Sequence, residues 1–197
     1  MMTAVDGRID CAMTEQLPGV QEYYSMLDSL AAPSRVSGRV TAQLEMARPG
    51  TFEPQDAALG HESFSRNAGA DGYEIVIDTR GTLLWDEPDA SERPLLIVTS
   101  ECVSRDYLAY LGGLHISWIA CGKERVDLAR ACEILASAFG VERMAVVGGG
   151  HINTALLAAG QALARRQGRQ LVLTYRRRGS RRGLPQRVVR ARQRRGI

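Results

Sequence analysis

The stretch Met144-Ala145-Val146-Val147-Gly148-Gly149-Gly150-His151-Ile152-Asn153 runs from four apolar residues straight into three glycines, and Ile152, Ala155, Leu156 and Ala159 then recur at helical spacing. A short apolar run of this kind reads as a buried strand, and the spacing after it reads as one face of a helix. A strand that becomes a helix within three residues is the building unit of α/β proteins with parallel sheets. Lacking side chains, Gly148, Gly149 and Gly150 let a phosphate approach the backbone amides at the positive end of that helix. Glycines after a strand also serve simply to make a tight turn, and both readings stand at this point.

Working outward, the same alternation covers about residues 20–160. Strands are predicted at Arg35-Val36-Ser37, Tyr73 to Asp78, Leu95 to Thr99, Ile116 to Cys121 and Met144 to Val147. Val20, Tyr23, Tyr24, Leu27 and Leu30 share one face of a helix bracketed by Pro18-Gly19 and Pro33. Ser104 opens another helix that Gly112-Gly113 closes. Asp127 opens a third, with Leu128, Cys132, Leu135 and Phe139 on one face and Gly140 as its stop. The expected fold is α/β, a three-layer sandwich around a mostly parallel sheet. Arg48 to Gly72, rich in Gly, Pro, Asp and Ser, shows no clean period and reads as a long connection, either a lid over a substrate or a mobile surface loop.

Two more strand-to-helix junctions carry polar residues. In Val36-Ser37-Gly38-Arg39-Val40-Thr41, an arginine suits a phosphate monoester and Ser37 or Thr41 can donate to its oxygens; the alternative is an ordinary helix start with a solvated arginine. Ile97-Val98-Thr99-Ser100 again ends a strand in hydroxyls, as for a ligand lying across the carboxyl ends of the strands.

The 197 residues suffice for one well-buried core, and a single domain is expected. The net charge of +3 conceals a division: Gln161 to Ile197 holds 13 of the 25 basic residues and none of the 22 acidic ones, which leaves 12 basic against 22 acidic before it, a difference of −10. Four cysteines, Cys11, Cys102, Cys121 and Cys132, form no Cys-x-x-Cys pair and have no histidine at zinc-ligand spacing, so they read as buried thiols, and no metal is expected. No apolar run is long enough to span a bilayer, and the expected location is cytoplasmic.

Taken in order, the three junctions resemble the cofactor-binding elements of dihydrofolate reductase and its relatives. Gly148-Gly149-Gly150-His151 looks like that superfamily's pyrophosphate loop, and Gly38 and Thr41 fall where relatives carry Gly-x-x-Thr. Met2-Thr3-Ala4-Val5-Asp6-Gly7-Arg8-Ile9 resembles the T-S-x-D-G-R-I signature of the riboflavin-biosynthesis reductases, the C-terminal domain of the bacterial bifunctional deaminase-reductase, and Asp78-Thr79-Arg80-Gly81 resembles their D-S-R-G. The resemblance covers about residues 2–160. It implies a 5-amino-6-(5-phosphoribosylamino)uracil reductase, which passes a hydride from NADPH to the ribose carbon of a phosphorylated ribosylamino-pyrimidine. On that footing Gly38, Arg39, Thr41, Thr99, Ser100, Gly148, Gly149, Gly150 and His151 bind cofactor, Arg39 favours NADPH over NADH, and Thr3 and Gly7 border the substrate. Asp6 polarises the substrate or delivers a proton, or is only the turn residue before Gly7. The family is expected to be a homodimer.

The departures from the resemblance are three. Ala4 stands where relatives have Ser. The chain begins inside what is a central first strand in relatives. After Ala158-Ala159-Gly160 relatives continue into an acidic stretch and two further strands that commonly carry the dimer contact, whereas here only Leu171 to Tyr175 reads as a strand. The sheet is thus expected to be incomplete at both ends, with 161–197 an Arg-rich tail that is disordered or the product of a shifted reading frame. For the latter, Tyr175-Arg176-Arg177-Arg178 can be encoded so that dropping one base gives Ile-Asp-Gly. The alternative function is a catalytically silent relative whose tail binds nucleic acid or another acidic partner. No deaminase-type zinc motif is present.

Overall fold

The computed structural model describes residues 25, 27–56, 58–87, 93–167 and 170–176. Along the chain these form β1 (Ser34–Gly38), α1 (Arg39–Glu45), β2 (Ser63–Ser65), β3 (Glu74–Ile77), β4 (Leu95–Thr99), α2 (Arg105–Gly113), β5 (Ser117–Ala120), α3 (Leu128–Ala138), β6 (Arg143–Val146), α4 (Gly150–Ala158), β7 (Ala162–Gln167) and β8 (Gln170–Arg176). All eight strands join one sheet in the order β2-β5-β4-β3-β1-β6-β8-β7.

The five strands from β5 to β6 run parallel, while β2, β8 and β7 are antiparallel additions at the two rims. The fold is therefore α/β with a mixed sheet, and the expectation of a mostly parallel one is corrected at the edges. It is corrected too at the C-terminal side, where two strands stand instead of one and residues 162–176 finish the sheet. Ala162–Gln167 reads as helix-forming by residue type, but in-register pairing from Ala162↔Tyr175 to Gln167↔Gln170 overrides that weak preference. Residues 2–9 lie outside the described residues. Both sides of β6 are taken, by β1 and β8, so the described sheet is continuous at its centre, unlike the arrangement the resemblance implies.

Alternation along the strands divides the core in two. Val36, Ile75, Leu96, Val98, Ile119 and Met144 face the buried side of α3 together with Leu156 of α4. Val76, Ile97 and Ala120 face Ala42 of α1 and Tyr107 and Leu111 of α2. The helix starts are capped as their residue types predict: the Ser104 hydroxyl accepts from Tyr107 N at 3.1 Å and the Asp127 carboxylate accepts from Arg130 N at 3.0 Å. Tyr107 is fully buried, donates to Leu83 O and accepts from Trp85 Nε1, each at 3.0 Å, and burial pushes its phenol well above the usual range.

The helix predicted over Val20 to Ala31 is described only at its end, where Leu30 N donates to Leu27 O and Leu27 is buried; Val20, Tyr23 and Tyr24 lie outside the described residues. The connection 48–72 is tied to the body of the molecule at several described residues. Phe52 N donates to Thr82 O, Gln55 N and Asp56 N to the Asp106 carboxylate at 2.8 Å, Gly60 N to Val103 O, and Asn67 Nδ2 to Ile116 O, and β2 lies within it. Those amides have protein acceptors that an exposed flap would have to give up. No helix among the described residues is long and apolar enough to cross a membrane.

Candidate anion-binding site

Parallel strands release the chain at one common edge, and β1 and β6 are parallel neighbours with Val36 opposite Val146. Val147 N extends the pairing by donating to Val36 O at 2.9 Å. The first residues of α1 and α4 consequently start side by side, which brings Gly38 and Thr41 to the glycine run across a hundred residues of sequence.

Contact between the two helix starts is close. A Cβ placed on Gly38 would meet Ile152 Cγ1 at 2.8 Å, and one on Gly148 would meet Thr41 Oγ1 at 2.7 Å and Cγ2 at 2.8 Å. Gly149, the residue before α4, has φ of 82°, a left-handed conformation that glycine adopts without steric cost. No side chain caps α4 and none in its first turn is acidic. The amides of Gly150, His151 and Ile152 precede the first intrahelical bond, which Asn153 N makes to Gly149 O at 3.1 Å. They form a partly exposed set of donors at the positive end of a helix.

One hydroxyl, that of Thr41, lies beside the glycine run. Thr41 is 6% exposed, and among the described residues its Oγ1 makes no hydrogen bond. Ser37, 1% exposed, likewise has no partner for its hydroxyl. Of the two hydroxyls only that of Ser37 is a fully buried one; Thr41 Oγ1 lies beside Gly148, where an anion held at the α4 amides would offer it an acceptor. Arg39, exposed at the start of α1, has no ion pair among the described residues, and His151 is exposed on the first turn of α4.

Other predicted positions fare differently. Thr99 and Ser100 are fully buried, and both hydroxyls donate to Thr79 O, at 3.1 and 2.8 Å, while Ser100 Oγ also accepts from Cys102 N. Their reading as ligand donors is corrected: they fasten the turn after β3 to the end of β4. Asp78, in the segment resembling D-S-R-G, is also fully buried and accepts from Thr82 N at 2.6 Å and Leu83 N at 2.9 Å, so it shapes the following turn. Thr3, Asp6 and Gly7 lie outside the described residues. The packing of Ile152 over Gly38 has no signature in residue spacing, because it follows from the adjacency of β1 and β6. Among the described residues no group of three or more His, Cys, Asp or Glu side chains is placed to hold a metal ion.

The thiols split as well. Cys121 and Cys132 are buried, and burial is the first cause that pushes each thiol up to about 12. Cys102 is exposed, a correction to its expected burial, and donates to Lys123 O at 3.0 Å; Cys11 lies outside the described residues. Cys102 is expected to react with a small alkylating reagent at pH 8 at least about a hundredfold faster than Cys121 or Cys132. Peptide mass mapping of a labelling time course checks this, and comparable labelling of all three in the folded protein contradicts it. Comparison with protein-family models finds no match for the chain, and comparison with the curated proteins finds none either.

Proposed function

We propose that this protein is an NADPH-dependent reductase with a dihydrofolate-reductase-like fold, acting on a phosphorylated ribosylamino-pyrimidine. The observation that carries the cofactor assignment is the junction of α1 and α4, where uncapped amides, a glycine with no space for a Cβ and the unpartnered Thr41 hydroxyl meet. These features fit a diphosphate: the amides after Gly149 and the Thr41 hydroxyl would hold it, and Arg39 would bind a 2′-phosphate. Bound there, NADPH supplies the hydride. The chain's own part is to hold and orient, since hydride transfer depends on close, aligned carbons more than on a strong acid or base. Asp6 is the proposed proton donor or polarising group. The substrate assignment rests on the resemblance of residues 2–9 and 78–81. A pteridine-like or carbonyl substrate handled by the same cofactor site is the nearest variant of it.

Calorimetric titration with NADPH tests the reading, and an absence of binding at millimolar nucleotide overturns it. With Arg39→Ala, NADPH affinity is expected to fall about tenfold or more and NADH affinity to change little. Equal losses for both would remove Arg39 from the 2′-phosphate.

A further inference from the structure

The antiparallel strands β6, β8 and β7 sort their residues by face. Leu171, Leu173 and Tyr175 of β8 share the face of Met144 and Val146, which belong to the core layer against α3. The opposite face receives Arg143 of β6, Arg176 of β8 and Arg165 of β7, and these three strands contain no Asp or Glu. A slip of one residue would turn Leu171, Leu173 and Tyr175 away from the core, so the apolar residues impose the register that gathers the arginines. In that register Arg143 stands directly opposite Arg176. Like charges opposed across an antiparallel pair destabilise it, and an anion set between them turns the repulsion into two attractions. Arg143 is partly exposed, its guanidinium donates to Ala31 O, and it makes no ion pair among the described residues. Arg35, on the same face of β1, has a partner in Asp28 at 2.7 Å.

The charge continues along the chain. Residues 177–197 hold nine further arginines, no Asp or Glu, and no Phe, Tyr or Trp. A membrane surface would be held by apolar and aromatic anchors beside the charge, and here the large apolar residues are only Leu184, Val188, Val189 and Ile197. A protein partner presents acidic groups at irregular intervals among other residues. An unbroken series of cations instead matches the unbroken series of phosphates in a nucleic acid, whose oxygens guanidinium groups take in pairs.

We propose that the arginine face of β6, β8 and β7, with the arginines that follow Arg176, binds nucleic acid through its phosphates and without base recognition. Arg143 begins β6 and the glycine run follows its end, so this surface and the corner proposed for the diphosphate lie at opposite ends of one strand. The two are expected to fill independently, and neither reading depends on the other.

Fluorescence anisotropy of a labelled, mixed-sequence RNA of about twenty nucleotides, titrated with the full chain, tests the proposal. A dissociation constant of about 1 µM or below is expected at roughly 0.15 M salt, with log K falling against log salt at a slope of about −3 or steeper. Replacing both opposed arginines, Arg143→Ser with Arg176→Ser, is expected to weaken binding at least about threefold and to make the slope about 1.4 shallower, whereas Arg143→Lys with Arg176→Lys keeps the slope. Arg165→Glu, on the outermost strand and clear of the contact to Ala31, is expected to weaken binding by at least about threefold. Circular dichroism establishes that each variant is folded, and saturating NADPH is expected to leave the RNA affinity unchanged. No binding by the unmodified chain at about 50 µM, a salt slope and affinity that none of the variants change, or displacement of the RNA by NADPH would each overturn the proposal. So would polyglutamate or phosphatidylserine vesicles that displace the probe as well as unlabelled RNA does at equal charge.

Discussion

Gly148→Ala is expected to weaken NADPH binding by at least about a hundredfold, or ~2.7 kcal/mol. The added carbon would lie 2.7 Å from Thr41 Oγ1 and 2.8 Å from Thr41 Cγ2, distances that real Cβ atoms do not reach. Thr41 is buried in the first turns of α1, and its Cβ, fixed to that helix, would itself lie 3.0 Å from the added carbon, so turning the side chain does not clear the space. Relief comes instead from displacing the glycine run, and with it the amides proposed to hold the diphosphate, where losing one hydrogen bond to a charged group costs about 1.5–3 kcal/mol. Gly140→Ala is the control. Gly140 also has a positive φ, of 71°, but a Cβ there meets nothing within 4 Å, so it should cost about 1 kcal/mol of stability and leave the nucleotide affinity unchanged. Titration calorimetry on both variants separates a local block from general weakening; if Gly148→Ala binds NADPH as the unmodified protein does, the cofactor lies elsewhere.

The largest loss of stability is expected from Gly72→Ala. Here the new carbon would fall 2.0 Å from Pro33 O and 2.5 Å from Pro33 C, and the obstruction is backbone rather than the tip of a side chain. That backbone is fixed where β1 and β3 begin to pair: Tyr73 N donates to Ser34 Oγ at 3.0 Å and Arg35 N to Tyr73 O at 2.9 Å. Separating the strands there breaks buried hydrogen bonds and opens the core around Tyr73, which is expected to cost about 3 kcal/mol or more. Gly69→Ala, whose carbon would meet only Arg66 Nη2 at 3.5 Å, should stay within about 0.5 kcal/mol. Urea unfolding midpoints of the two variants test this, and similar midpoints would show that Pro33 yields without cost.

The parallel strands were legible because burial on both faces leaves continuous apolar runs such as Leu95 to Thr99, and the observed strands stay within a few residues of those runs. Short and paired elements were not. β2 is three residues of Ser-Phe-Ser inside a Gly- and Ser-rich stretch, and its strand character comes from lying against β5. β7 is composed of helix formers and is a strand because β8 is beside it. At the candidate site, the glycine run, Gly38 and Thr41 could be picked out by type and spacing, whereas their meeting depends on which strands are neighbours. Thr99 and Ser100 were misread for a related reason. The acceptor that occupies their hydroxyls, Thr79 O, belongs to the turn after the adjacent strand, and nothing in their own segment announces it.

The position of β1 between β3 and β6 has a consequence for biosynthesis. A nascent chain emerging from the ribosome can assemble β1 with β3, β4, β5 and β2 early, since all of these precede residue 121. One side of β1 then waits until β6 has been translated, and β6 in turn waits for β8. The corner proposed to hold the nucleotide therefore cannot form until β6 and the start of α4 have been translated, and a ribosome stalled before β6 would display β1 without the glycine run that faces Thr41.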